Sequence, residues 1–307
     1  MDFLPQLKLP PWFGGQMGVP GSDTPLGLRQ APQGLVYYVD PSHPDALDNN
    51  DGTDPNAPKA TIQSAITASN ALINWAATPP YDGQNWIIVA PGVYAENLTP
   101  AYYCKIVGLG NCNGGDVCVN VQPATGSCMA GTGLGLHLYN IRFTGGGDAT
   151  PVLDFGTFNS CIIERCMVTD GNAGLATVLL DMTGAGGSKI IGCNFGYTAS
   201  AAPIGIRSTG NFFDCQIIGC KIAAATTGID LSAGGLLGNT LIAHNYIWSG
   251  EDGTIATGID DSTTGHTLVV DNWITAVDAI NHANAANTIA NHVQNAGVGA
   301  VETAGTD

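Results

Sequence analysis

Positive charge is scarce in this chain. Nine Lys and Arg stand against 25 Asp and Glu among 307 residues, a formal net charge of −16. Phosphate contact needs a basic footprint, and no basic stripe occurs, so the sequence argues against a nucleic-acid partner. The same acidity disfavours anionic membrane surfaces. No apolar run approaches the roughly 18 residues of a membrane-spanning helix. Residues 1–5, Met-Asp-Phe-Leu-Pro, lack the basic and apolar regions of a signal peptide. That predicts assembly in a host cytoplasm, with secretion as the alternative. The nine cysteines contain no C-x-x-C pair, which argues against zinc or redox centres of that kind and favours reduced thiols. A Cys112–Cys118 or Cys104–Cys128 bridge remains open. The G-x-S-x-G, H-E-x-x-H, phosphate-loop and dinucleotide fingerprints are missing too.

Charged residues make up only 11% against 44% hydrophobic and 42 Gly, a balance that suits short strands and frequent turns rather than disorder or a helical bundle. Residues 1–34 differ from the rest. They hold six of the 17 prolines and no period of 2 or 3.6, so they cannot form a regular element. Yet Phe3, Leu4, Leu7, Leu9, Trp12 and Phe13 are not the content of a solvated tail. Asp2 and Asp23 balance Lys8 and Arg29, leaving the full −16 on residues 35–307. Two readings stand: a strap along its own domain, or an anchor docked on another protein, and we favour the anchor.

The body opens with a short strand at Tyr37-Tyr38-Val39, closed by Pro41. The loop Asp48-Asn49-Asn50-Asp51-Gly52-Thr53-Asp54 has oxygens that could hold Ca²⁺, but without the EF-hand spacing a plain polar turn is expected. A helix is expected over 61–76, with Thr61 as N-cap and Ile62, Ile66 and Ile73 on one face. Trp86-Ile87-Ile88-Val89 reads as a buried strand before the Pro91-Gly92 turn.

Beyond about residue 130 a repeat emerges. One column runs Ile141, Cys166, Cys193, Cys220, Asn245, Asn272, in steps of 25, 27, 27, 25 and 27. Leu138, Ile163, Ile190, Ile217, Ile242 and Val269 stand three residues earlier, and Phe143, Val168, Phe195, Ile222, Ile247 and Ile274 two later. A second column runs Leu153, Leu180, Ile206, Ile229, Ile259, Ile280, Val301. A period near one coil, with two or three short strands and no helix between them, predicts an all-β solenoid: a single-stranded right-handed parallel β-helix with a short capping helix and an extended N-terminal arm. At about 4.8 Å per coil, nine coils make a rod of about 43 Å. Small Cys and Asn then fit the narrow interior, where stacked Asn amides can hydrogen-bond along the axis.

Tyr38-Val39-Asp40, Gly52-Thr53, Pro58, Thr61-Ile62-Gln63, Ala65-Ile66, Ala90-Pro91-Gly92-Val93-Tyr94 and Glu96 together resemble the opening of pectate-lyase-like β-helix proteins. The resemblance implies that this segment forms the first coil and a helix capping the barrel end. It leaves function open, since lyases, hydrolases, epimerases and non-catalytic phage virion proteins share the fold.

Asp154, Asp181, Arg207, Asp230, Asp260, Asn281 and Glu302 follow the second column by one residue and should face outward. Neighbouring Asp230 and Asp260 would repel unless solvated or bound to a cation such as Ca²⁺. As an enzyme site, the column would supply a carboxylate pair with Arg207 as polarising or basic group. As a surface, it keeps a rod soluble, which is the expectation preferred. Gly258-Ile259-Asp260-Asp261 and Gly265-His266 are faintly similar to motifs of polygalacturonase-like hydrolases, but too close together and without Arg-x-Lys. Tyr246, Trp248 and Trp273 should project outward on adjacent coils, as sugar platforms or subunit contacts. Ile191, Ile218, Ala243 and Val270 would form an apolar outer patch, unless the chain bends there and they belong to the core.

These features favour a non-enzymatic virion protein, a homotrimeric capsid decoration protein whose arm binds the major capsid protein. The rival is a tail-associated polysaccharide lyase or glycoside hydrolase at the Asp181–Asp260 face. A glycan-binding module without turnover, centred on Tyr246 and Trp273, is the third reading.

Overall fold

The structure, a computed structural model, describes residues 34–72, 85–112, 118–171, 176–196, 202–233, 237–249, 255–261, 267–282, 288–289 and 291–295. The chain winds through three parallel sheets of ten, nine and ten strands. The first sheet runs from Val36–Val39 to Thr288–Ile289, and the second from Gly92–Tyr94 to His292–Asn295. Each coil passes from first to second to third sheet, the right-handed crossover that twisted strands favour. The result is a right-handed parallel β-helix.

The pairing is the one the columns predict. Leu138, Ile163, Ile190, Ile217, Ile242 and Val269 are consecutive rungs of the first sheet. Phe143, Val168, Phe195, Ile222, Ile247 and Ile274 line the second, and Leu153, Leu180, Ile206, Ile229, Ile259 and Ile280 the third. The first two of these columns point inward and are buried throughout. The third sheet forks. Leu153–Asn159 is long enough to pair with Val178–Met182 at one end and Ala185–Gly186 at the other.

Two left-handed corners per coil make the solenoid close. Asn140, Arg165, Gly192, Gly219, His244 and Asp271 have φ of 53–65°, and Gly135, Ser160, Gly187, Asp214 and Asn239 have φ of 50–62°. The two sets lie five residues apart and bracket the strands of the first sheet. Each corner turns the next side chain inward, where space is short and carbonyls stand nearby. The thiols of Cys161, Cys166 and Cys215 donate to the carbonyls of Asn159 (3.2 Å), Glu164 (3.4 Å) and Phe213 (3.2 Å). Ser188, Thr240 and Asn272 donate in the same way to Gly186, Gly238 and Val270. After Leu136 and Ile141 on the first such coil, the corners from Ser160 onward take a short side chain with a donor, and Cys, Ser, Thr and Asn all meet that need. Burial pushes the Cys161 and Cys166 thiols up to about 12. All nine cysteines are unbridged, and neither pairing left open by the sequence is formed: Cys128, for one, donates to the carbonyl of Thr144 (3.1 Å).

Only glycine fits where the second and third sheets meet. A Cβ at Gly228 or Gly258 would lie 2.4 or 2.3 Å from the side chain of Ile247 or Ile274.

The pectate-lyase-like opening folds as the first coil plus helix α1, Ile62–Ala71. Thr61 is its N-cap, its hydroxyl accepting from Ser64 N–H. Glu96 supplies both carboxylate oxygens to the Ile62 and Gln63 N–H groups (3.0 and 2.9 Å), an anion where the helix dipole favours one. Ile62, Ala65 and Ile66 are buried with Tyr37, Val39 and Ile87. The helix ends at Ala71, with Leu72 as C-cap, short of the expected residue 76; Ile73 lies outside the described residues.

In the Asp48–Asp54 loop the ammonium of Lys59 donates to the carbonyls of Asp48 (3.0 Å) and Asn50 (2.7 Å), so a lysine sits where a bound cation was conceivable. Its stem packs on Gly52, which has φ of 77° and no room for a Cβ. Asp51 and Asp54 close local turns onto Thr53 and Asn56. The segment is a polar turn.

Candidate functional site

The acidic column forms on the outward side of the third sheet. Asp154, Asp181, Arg207, Asp230, Asp260 and Asn281 are successive rungs. Arg207 turns to Asp181 in a two-pronged ion pair, Nε to Oδ1 at 3.0 Å and Nη2 to Oδ2 at 2.5 Å. Both are largely shielded, with side chains 28% and 15% exposed. The Arg207 guanidinium is held charged by Asp181 first, against the pull of burial. Burial, then Asp181, raises the Asp154 carboxyl. Asp230 Oδ1 accepts from the Ser232 N–H (3.0 Å) and hydroxyl (2.6 Å), and Asp260 accepts from Asn281 Nδ2 (3.1 Å). The column thus brings Asp181, Arg207, Asp230 and Asp260 together, but gives most of them structural partners. Among the described residues, no group of three His, Cys, Asp or Glu side chains converges to hold a metal ion. Asp261, next in sequence, is fully buried and not on this face. His266 and the arm residues Phe3, Leu4, Leu7, Leu9, Trp12 and Phe13 lie outside the described residues.

On the outer face of the second sheet, Tyr246 and Trp273 are 42% and 45% exposed on adjacent rungs. Tyr246 lies 4.8 Å from the Trp248 ring and 6.4 Å from the Trp273 ring, tilted against both. Around the His244–Asp271 corner, the first sheet carries a second apolar surface. Ile191, Ile218, Ala243 and Val270 are successive rungs of its outward side, not a bend of the core. Leu241 and Leu268 run alongside, with Leu268 40% exposed. Nearer the N-terminal end, Trp86 and Val107 form a separate cluster with Val36, Ile88 and Tyr139 on this same outer side.

A group of polar side chains beside that cluster was not anticipated. Lys105 places its ammonium 5.3 Å from the Trp86 ring and 5.6 Å from the Tyr139 ring. His137 Nε2 lies 3.3 Å from Glu164 Oε2, and Arg165 donates to the Tyr139 hydroxyl (3.0 Å). Burial lowers the pKa of Lys105 and of His137, while His137 lowers that of Glu164. Extending the Leu138 column back one coil, to Ile106, places Lys105 beside His137; the 32-residue gap hid this rung. The group ties four successive rungs of the first sheet, from Trp86 to Glu164, by cation–π and ionic contacts.

No protein-family profile and no curated protein matches the sequence. Among solved structures, the chain is similar to the pectate lyase Pel9A at 13% identity, over 86% of this chain and 69% of that one, with a TM-score of 0.49. It is also similar to a pectin methylesterase from carrot at 15% identity, over 88% and 85%, with a TM-score of 0.43. PemA, a pectin methylesterase from Erwinia chrysanthemi, gives 12% identity, 87% and 91% coverage, and 0.38. Such distant likenesses carry no residue's role across. The ladders by themselves define the class, a right-handed parallel β-helix.

Proposed function

We propose that the chain is a non-catalytic structural rod of a phage virion, a capsid decoration protein. Its segment 1–34 attaches to the major capsid protein, and its outer first-sheet face packs against neighbouring copies, as in a homotrimer. The observation that carries this reading is the set of outward, half-buried apolar rungs Ile191, Ile218 and Val270, with Leu241 and Leu268 alongside and Ala243 covered at 2% exposure. Apolar side chains clustered on the outside of a rod mark a protein contact. The neutral, apolar arm on a body of charge −16 supports attachment through the arm. Deleting residues 1–34 is expected to abolish co-sedimentation with capsids while leaving the rod's far-ultraviolet circular dichroism intact. Undiminished co-sedimentation would refute the anchor.

A second reading, a tail-associated polysaccharide lyase or glycoside hydrolase, is favoured by the adjacent Asp230 and Asp260 rungs. Two neighbouring carboxylates suit a shared Ca²⁺ or an acid–base pair. Screening acidic and neutral polysaccharides with and without Ca²⁺ separates the two. Cleavage that disappears in Asp230→Asn or Asp260→Asn would replace the structural reading.

A further inference from the structure

A homotrimer cannot be built from one self-complementary patch. A two-fold contact pairs the same patch on both partners and stops at a dimer, whereas a cyclic trimer joins two different patches of each copy. With the outer face of the first sheet as one patch, the rod must carry a second. In a ring of rods parallel to its axis, the two patches must also lie at the same height.

The second sheet has such a patch. On its outward side the Tyr246 ring contacts those of Trp248 (4.8 Å) and Trp273 (6.4 Å), and Tyr246 and Trp273 are both exposed. Leu241 and Tyr246 belong to one coil, Leu268 and Trp273 to the next, so the aromatic cluster and the first-sheet face occupy the same rungs. Two residues separate the strands that carry them, His244-Asn245 in one coil and Asp271-Asn272 in the next. The patches therefore flank one edge of the rod. The other exposed large apolar side chains among the described residues are scattered. Leu35, Leu47, Leu72 and Val93 lie in the opening coils, Phe213 on the third sheet and Val277 just past the second.

Charge selects the same two faces. A net −16 makes copies repel, so they approach where carboxylates are absent. Among the described residues, the outward rungs of the first sheet from Lys189 to Val270 include no Asp or Glu, nor do those of the second from Asn194 to Trp273. Exposed Lys189 and Lys221 stand there instead. The third sheet presents Asp154, Asp181, Asp230 and Asp260. At the edge between the first two sheets, Asp271 faces His244, Oδ2 to Nδ1 at 2.8 Å.

We propose that the rods close into a ring through two different faces of each copy. The first-sheet face of one copy, with Ile218, Leu241, Leu268 and Val270, packs on the Tyr246–Trp248–Trp273 face of the next. The His244–Asp271 edge points to the ring axis, and the acidic third sheet stays in solvent. This rests on the reading that copies meet through the first sheet, and it names what that sheet meets. Aromatic rings against aliphatic side chains supply the large, rigid contact area that anchors protein interfaces.

Sedimentation velocity of the full-length chain, of Ile218→Glu, of Trp273→Glu and of an equimolar mixture of the two variants tests the ring, with circular dichroism as the fold control. The wild-type chain is expected as a closed oligomer and each variant alone as a monomer. In the mixture, Ile218→Glu keeps its aromatic face and Trp273→Glu its first-sheet face. A one-to-one species of twice the monomer mass should therefore form, and nothing larger. Tyr246→Glu should behave as Trp273→Glu does. If both aromatic variants assemble like the wild type while Ile218→Glu does not, the ring is overturned. The first-sheet contact then stands, and the aromatic cluster serves another ligand. A mixture that stays monomeric overturns the ring as well. A monomeric wild-type chain would remove the contact between copies altogether, and the ring with it.

Discussion

Asn245 and Asn272 are joined on adjacent coils by a buried amide bond, Asn245 Nδ2 to Asn272 Oδ1 at 2.9 Å, and Asn272 repeats it to Asn291. Each acceptor oxygen also takes the backbone N–H of the rung before it, as Asn272 Oδ1 does from Asn245 N (3.0 Å). Replacing Asn272 by Ala takes the acceptor from the Asn245 N–H and from one Asn245 Nδ2 hydrogen, and takes a side-chain donor from the carbonyls of Ile242 and Val270. The expected loss, from several buried polar groups left unmade, is about 3 kcal/mol or more. It should appear as a fall in the urea midpoint. Asn272→Asp should be worse at neutral pH, since a buried carboxylate would face the Asn291 oxygen, and should recover partly in acid.

Lys59 to Met keeps the stem over Gly52 and removes the ammonium from the Asp48 and Asn50 carbonyls. Destabilisation of about 2 kcal/mol is expected. Added Ca²⁺ should not restore the wild-type melting temperature, because the loop is a lysine-centred turn. Full rescue by Ca²⁺ would revive the cation-loop reading.

Asp170 is 2% exposed, and its Oδ2 has no hydrogen-bond partner among the described residues. Burial pushes its pKa up to about 6 from an ordinary 3.8. A folded-state pKa above the unfolded one means that the folded chain binds the proton more tightly. Its stabilising contribution is therefore full below about pH 4 and lost as pH rises through 6, a swing of up to about 3 kcal/mol. Asp170→Asn should remove that part of the pH dependence, seen by comparing denaturant midpoints of the two proteins at pH 4 and pH 7.5. Parallel profiles would contradict the assignment.

Arg207→Gln leaves Asp154, Asp181 and Asp230 on a shared face with no neutralising charge between them. A loss of about 1 kcal/mol at low ionic strength is expected, shrinking as salt is added. A salt-independent loss would mean that Arg207 acts through packing instead.

The barrel was legible because its inward columns are strictly apolar and recur at one step per coil, from Leu138 to Val269 and from Leu153 to Ile280. The Asn ladder was legible for the same reason. Its last rung, Asn291, follows Asn272 by only 19 residues and fell outside the period. The second corner column, Cys161, Ser188, Cys215, Thr240 and Thr267, was missed because its members share a size and a donor rather than a residue type. The outward apolar strip was visible, but its direction was not. Two residues before a corner, alternation leaves open whether a side chain faces core or solvent until the left-handed φ of Gly192, Gly219, His244 and Asp271 is known. The side-chain pairings of the acidic column could not be read at all, since they depend on which way Arg207 leans.

The outer first-sheet face is tested most directly by sedimentation velocity of the purified full-length chain beside Ile218→Glu, a half-buried outward position whose change leaves the barrel interior untouched. The wild-type chain is expected to sediment as an oligomer, and Ile218→Glu as a monomer with unaltered circular dichroism. A wild-type chain that sediments as a monomer, or a variant that stays oligomeric, would contradict the assignment of that face to contact between copies.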